Sequence, residues 1–365
     1  MPDDSRWMRL ALGLGARGDG QVWPNPAVGC VIVKHGRVIG RGWTQPGGRP
    51  HAEVVALAQA GDAAAGATAY ITLEPCAHWG QTPPCADALI RASVARVVVA
   101  LTDPDPRTDG GGIARLRAAG IAVTTGVLQQ DAARAHRGFV SRVVAGRPRL
   151  TLKLATSFDG RIATATGESQ WITGPEARRA VHAMRMRHDA VMVGAGTVRA
   201  DDPSLTVRGM GAVRQPVRVV LSRHLDLPMD SQLARTAADV PVWLLCGPGA
   251  DPARRAAWQG QGARCLTVAP GAGGQIDPAA ALAVLGGAGL TSVFCEGGGA
   301  LAASLLAGDL VDDLVGVTAG LAIGAEGQPG IGAMGLAALA EAPRFRLRAT
   351  RPVAGDVLHE WTRAD

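Results

Sequence analysis

The chain has 365 residues, 47% of them apolar, enough for about two domains at roughly 150 residues each. No run approaches the ~18 uninterrupted apolar residues of a membrane helix, and the opening MPDDSRWMRL puts acidic residues where a secretory signal has a basic region, so neither membrane insertion nor export is expected. The formal charge of +6 comes from arginines dispersed among apolar helices, with no basic run or aromatic-interleaved strip to mark a nucleic-acid surface, and small phosphate-bearing molecules explain the surplus about as well.

Six scattered cysteines are too few for a disulfide scaffold and read as metal ligands or buried apolar groups, which points to a reducing cytoplasm. Only two of the 37 basic residues are lysines, Lys34 and Lys153.

From residue 27, AVGCVIV reads as a buried strand, and KHG before RVIGRGW as a hairpin turn, since glycine supplies the backbone freedom a tight turn needs. HAEVVALAQAG spaces its apolar residues for a helix and ends on Gly61 as a C-terminal cap. ATAYITL then reads as strand, CADALIRASV as helix, ARVVVAL as strand, GIARLRAAG as helix and IAVTTGV as a short strand. An amphipathic helix over about 130–144 follows. This alternation signals an α/β layered domain. Gly146 and Pro148 interrupt the pattern, which predicts two domains, 1–146 and 147–365.

The second half restarts with the strand RLTLKLA, a loop TSFDGRIATATGESQWITG, and a helix from about Pro175, a residue suited to the first helical turn. DAVMVGAG, PVRVVLS, VPVWLLC and SVFCEGG are strand candidates, GALAASLLAG is a helix, and RFRLRATRPVAGDVLHEWTR ends the chain as a pair of strands. The working architecture is two α/β domains.

His51 and Glu53 open the first-half helix, with Cys76 at a strand end and Cys85 near the start of the next helix. One imidazole and two thiolates suit zinc and leave a fourth tetrahedral position to water, which separates a catalytic from a closed structural site. Glu53 can face that water without being a ligand, the arrangement of zinc-dependent nucleobase deaminases, in which the glutamate carries a proton to the leaving amine. Pro83 and Pro84 stiffen the approach to the helix of Cys85, whose dipole favours a thiolate there. His78 reads as a rival ligand or a substrate contact, and Asn25, in WPNPAVGC, as a base or ribose contact or a plain Asn-Pro turn.

In the second half, SVFCEGGGALAASLL offers clustered backbone N–H groups at a helix start, a ready anion site or simply a tight turn. VGAGTVRADDP lacks the third glycine and the later acid of a Rossmann fingerprint. Taken alone, Arg185 reads as part of a solvated helix face and Trp171 as core. Lys153, between Leu152 and Leu154, is either a water-facing edge lysine or a buried ammonium that needs a partner, Glu296 or Asp159, and serves catalysis.

Together the motifs PNPAVGC, PHAEV, LEPCAHWGQTPPC and DPDP resemble the deaminase half of the bifunctional riboflavin-biosynthesis deaminase/reductase family. KLATSFDGRIA, GESQWITG, VGAGTVRADDPSLTVR and CEGGGALAASLL resemble its reductase half. The resemblance implies a cytidine-deaminase-like three-layer α/β/α domain followed by a dihydrofolate-reductase-like α/β domain. It implies zinc on His51, Cys76 and Cys85, with Glu53 catalytic, and hydrolysis of one ring amine of a phosphoribosylamino diaminopyrimidinone to give a uracil. NADPH-dependent reduction of the opened ribose to a ribityl chain would follow.

Matching motif positions place NADPH at Ala155, Trp171, Thr197 and Asp201 and along Gly298, Gly299, Ala300, Leu301, Ala302, Ala303 and Ser304. They place substrate at Ser169, Arg185, Leu205, Arg208 and Glu296, with Asn25 and His78 in the deaminase half. A homodimer or tetramer is implied as well. Trp79 and Gln81 depart from the histidine and arginine usual in the family's HxGxTPPC loop, Gly111 stands where arginine is common, and Ser222-Arg223 replaces a frequent Asp-Ser. Two rivals remain: a zinc deaminase of another nucleobase or nucleoside whose second half only binds, and a zinc-stabilised scaffold, which would need a fourth protein ligand.

Overall fold

The computed structural model describes residues 4–364, and the first acidic residue of the opening segment, Asp3, lies outside them. Two compact units meet in sequence between Gly146 and Arg147.

The first unit runs α1 (Asp4–Gly15), β1 (Gly29–Lys34), β2 (Arg37–Trp43), α2 (Ala52–Ala60), β3 (Thr68–Ile71), α3 (Cys85–Arg91), β4 (Arg96–Val99), α4 (Gly111–Ala118), β5 (Ala122–Thr125) and α5 (Gln129–Ala145). Its five strands lie in the order β2-β1-β3-β4-β5, antiparallel across β2, β1 and β3 and parallel from β3 to β5. Successive strand side chains face opposite sides, so one sequence serves two cores. Cys30, Ile32, Ala69, Ile71, Val97 and Val99 meet α2, α3 and α4 on one side. Val31, Val33, Tyr70 and Val98 meet α1 and Ala132 of α5 on the other. The result is a three-layer α/β/α sandwich. At the β1–β2 hairpin His35 and Gly36 both have positive φ (50° and 71°), the twist-matched two-residue turn for which glycine is suited.

The second unit contains β6 (Arg149–Thr156), β7 (Arg161–Ala163), α6 (Pro175–Met186), β8 (Ala190–Gly194), α7 (Ala195–Asp201), β9 (Val217–Leu221), α8 (Gln232–Arg235), β10 (Val242–Cys246), α9 (Pro252–Gly260) and β11 (Arg264–Thr267). It continues with α10 (Pro278–Gly287), β12 (Ser292–Cys295), α11 (Gly299–Ala307), β13 (Asp313–Ala319), β14 (Gln328–Pro329), β15 (Phe345–Val353) and β16 (Asp356–Arg363). Nine strands form one sheet, β11-β10-β9-β8-β12-β6-β13-β16-β15, parallel from β11 to β13 and closed at one side by the antiparallel β16–β15 hairpin. β12 inserts between β8 and β6, and buried Asp189 helps pin it there, accepting hydrogen bonds from the N–H groups of Thr291 (2.7 Å) and Ser292 (2.9 Å).

The segment 156–174 is not wholly loop, because β7 pairs with the distant β14. Among the described residues no helix is long and apolar enough to cross a membrane.

Candidate active sites

The first site begins with two glycines on β2. A side chain on Gly40 or Gly42 would run into the backbone of Ala56 or Ala52, so the small-residue face of α2 lies close against the sheet. His51 is the N-cap of that helix and Glu53 sits in its first turn. Cys85 is the first residue of α3, while Cys76 stands in the connecting loop five residues past β3 rather than at the strand end.

His51 Nδ1 lies 3.3 Å from Cys85 Sγ and 3.8 Å from Cys76 Sγ. The three donor atoms all fall within 4.8 Å of one another, the single such cluster of His, Cys, Asp or Glu among the described residues. Zinc binds sulfur at about 2.3 Å and imidazole nitrogen at about 2.0–2.1 Å. Donors of this type at this spacing can therefore converge on one ion. His78 is outside the cluster, its Nδ1 3.4 Å from Thr108 Oγ1, and the fourth protein ligand a scaffold would require is absent among the described residues.

The two sulfurs are unequal. The Cys85 thiol and the Cys85 backbone N–H (3.3 Å) both bond to Cys76, which overcomes burial and brings the Cys76 thiol down to about 4. Donation to Cys76, together with burial and the nearby Glu53, holds the Cys85 thiol well above its ordinary value. The first N–H of α3, that of Cys85, points at Cys76 Sγ, so the partial charge of the helix start reaches that sulfur as well. The hydrogen bond to Cys76 also raises the His51 imidazole, with burial and, less strongly, the charge of Arg49 opposing.

Glu53 is 3% exposed, and burial lifts its carboxyl to about 7 against the pull of His51. A carboxyl that titrates near neutrality can both take and return a proton.

Around this core, Glu74 accepts the backbone N–H groups of Asp103 (3.2 Å), Gly110 (3.1 Å) and Ile113 (3.0 Å), which ties the DPDP loop and the start of α4 to the LEPC segment. Burial raises Asp103 to about 6. Asn25 Nδ2 donates to Gly48 O at 2.8 Å, and a Cβ on Gly48, whose φ is +87°, would strike that amide. Sequence reasoning gave Glu74 no role, although a buried acid always calls for donors.

The second site lies where three adjacent parallel strands, β8, β12 and β6, end. Ligands of open α/β sheets sit at such carboxyl edges, where the strand order switches. Glu296, directly after β12, accepts Arg185 Nε at 2.5 Å and Nη2 at 3.1 Å, and Lys153 Nζ is 3.7 Å away. Arg185 also donates to Thr206 O at 2.9 Å and its side chain is 13% exposed, so it is not part of a solvated face. Burial pushes the Glu296 carboxyl up, but Arg185 and Lys153 bring it below its usual range. Burial likewise lowers the Lys153 ammonium, with Glu296 opposing. Asp159 is not the partner of Lys153: it accepts from Ser157 Oγ (2.6 Å) and from the N–H of Ile323 (3.1 Å) and Gly324 (2.7 Å).

Trp171 is 65% exposed beneath the Arg178 guanidinium, 4.3 Å from its ring centre, so the core reading of it fails. Ser169 Oγ reaches Asp201 Oδ1 at 3.3 Å, and Thr197 shares α7 with Asp201. Gly298 caps α11, and a Cβ there would meet only Thr197 Oγ1 at 3.8 Å. Backbone N–H groups at a helix N-terminus suit the pyrophosphate of a dinucleotide. Gly299 instead packs against Pro329 O, Leu301 lies against Gly297, Ala302 and Ala303 are buried, and Ser304 Oγ turns back to Ala300 O at 3.0 Å. Ala155 is on β6, Leu205 is buried with φ +53°, and exposed Arg208 donates its N–H to His182 Nδ1 at 3.3 Å.

Residues 1–101 match the family described as cytidine and deoxycytidylate deaminase zinc-binding region, and residues 148–359 match the RibD C-terminal domain. The Escherichia coli (strain K12) riboflavin biosynthesis protein RibD is 40% identical over 375 residues, covering 97% of this chain and 98% of that protein. The structure of Acinetobacter baumannii RibD, form 1, superposes with a TM-score of 0.89 at 38% identity over 99% of both chains. A Thermotoga maritima diaminohydroxyphosphoribosylaminopyrimidine deaminase/5-amino-6-(5-phosphoribosylamino)uracil reductase gives 0.86 at 33%, again over 99% of both. With both halves matched and the likeness running the length of the chain, the protein belongs to the RibD family, pairing a cytidine-deaminase-like zinc domain with a RibD-type reductase domain in riboflavin biosynthesis.

Proposed function

We propose that this chain hydrolyses an amine of 2,5-diamino-6-(5-phosphoribosylamino)pyrimidin-4-one to give 5-amino-6-(5-phosphoribosylamino)uracil, then reduces the ribosyl group of that product to ribityl. The Thermotoga relative is described by both activities. The observation that carries the first step is the buried carboxyl of Glu53 in the helix turn that also carries His51, beside the converging His51, Cys76 and Cys85 donors.

His51, Cys76 and Cys85 would hold zinc, which when bound makes water acidic enough to supply hydroxide at neutral pH. Glu53 takes a proton from the attacking water and gives it to the departing ring amine, so that water and substrate leave as ammonia and a ring carbonyl. Burial keeps the carboxyl in the range where both transfers work. Asn25 and His78 would orient the ring.

In the second unit Thr197, Asp201, Ala155, Trp171 and the Gly298–Ser304 segment would hold NADPH, which supplies hydride when bound. Lys153 would give the proton that the reduced ribose oxygen requires, its acidity raised by burial and restrained by Glu296. Ser169, Arg185, Leu205, Arg208 and Glu296 would hold the substrate. The 1–146 and 147–365 division would then be a division of chemistry. A homodimer or tetramer in the cytoplasm completes the proposal, supported by the family resemblance.

Mass spectrometry of the products tests it. Without NADPH the protein should yield the deaminated compound alone; with NADPH, a deaminated product two hydrogens richer. Absence of deamination by zinc-loaded protein would refute the reading.

A further inference from the structure

Arg49 is a half-buried cation at the rim of the first site. Its Nη1 donates to Thr82 Oγ1, and its Nη2 lies 3.2 Å from where a side chain on Gly80 would begin. The guanidinium therefore rests on the loop that runs between the two cysteines. That loop, AHWGQTPP over 77–84, contains no lysine or arginine of its own, and Trp79 on it is 72% exposed.

Other arginines around the site are neutralised. Arg115 Nε is 2.5 Å from Asp87 Oδ1, and Arg107 Nη2 is 2.5 Å from Asp105 Oδ2. Arg49 has a hydroxyl for a partner and, among the described residues, no carboxylate within ion-pair distance. Such a guanidinium, held on the loop by a hydroxyl and with no counter-charge, keeps donors for an anion, and its planar fork of donors matches phosphate.

We propose that Arg49 is the phosphate-recognition residue of the deaminase site, holding the 5-phosphate of the ribosyl chain while the pyrimidine ring lies at the His51, Cys76 and Cys85 cluster. It supplies from the segment before the helix the cation that Gln81 does not supply from the loop. The inference rests on the deaminase reading above.

The test compares wild type with Arg49→Gln on the phosphorylated substrate and on its dephosphorylated form, with zinc content measured in each. Loss of a charge-assisted phosphate contact should raise KM for the phosphorylated substrate about 10- to 100-fold, leave kcat and zinc content near wild type, and leave kcat/KM for the dephosphorylated substrate unchanged. Arg49→Lys should keep part of the discrimination, and adding Gln81→Arg to Arg49→Gln should restore it by returning a cation to the same loop. Equal losses on both substrates would show that Arg49 only holds the loop, and an unchanged KM would show that it touches no phosphate; either overturns the proposal. If zinc-loaded wild type deaminates neither substrate, the deaminase reading itself falls and takes this inference with it.

Discussion

The metal-ligand cluster draws all its donors from residues 51 to 85, while Lys153, Arg185 and Glu296 reach one another across strands and a helix spread from residue 153 to 296. In the first site each side chain announces its chemistry, and a single loop and two helix starts bring the set together. In the second, no residue has a distinctive chemistry alone; it acquires one from the insertion of β12 between β8 and β6. Compact sites are governed by local geometry and dispersed ones by sheet order.

The comparison can be broken most severely by removing the metal. Chelation, or Cys76→Ser, should take deamination to background while reduction of the supplied uracil intermediate proceeds, since no donor of the cluster lies in the second unit. Added zinc should restore the chelated enzyme. Loss of both activities together would mean that the units do not work independently.

The converse is Glu296→Gln, which leaves Arg185 and Lys153 without their shared counter-charge. Breaking such a pair costs about 3–5 kcal/mol. We expect lower stability of the second unit in denaturant melts and slower reduction, with deamination preserved.

A smaller effect sharpens the contrast through pH. His136, fully buried on α5 and bonded to Thr72 Oγ1 at 3.0 Å, is lowered by burial to about 4 from 6.5. It stays neutral in the folded chain, whereas the unfolded chain protonates it below 6.5. Its contribution is therefore present above that pH and lost as pH falls towards 4, amounting to about 2 kcal/mol at pH 5. His136→Asn should lose less stability between pH 7 and 5 than wild type by about that amount, as measured by urea melts of metal-free protein.

The mildest is Trp171→Ala. With the ring 65% exposed, stability should change by less than about 0.5 kcal/mol, while KM for NADPH rises several-fold in initial-rate measurements.

Much of the fold was legible where hydrophobic period and turn chemistry agree, as in the β1–β2 hairpin and in α2 with its Gly61 cap. α9 and α10 also carried readable starts, an aspartate N-cap before a proline, and escaped notice. β13 was harder: DLVGVTA alternates buried and half-buried positions around a glycine that weakens a strand signal. β7 exists only through pairing with β14, information a local reading does not contain. The same limit explains Arg185 and Trp171. An arginine-rich helix looks solvated until Glu296 is seen beneath it, and a lone tryptophan looks like core until it is found stacked under Arg178.

The most direct test of two chemistries on one chain is Glu53→Gln assayed on both substrates. Deamination should fall by about 10²–10⁴-fold with zinc retained, while NADPH-dependent reduction of the deaminated intermediate continues at the wild-type rate. Deamination that survives the substitution, or reduction that falls with it, would contradict the account.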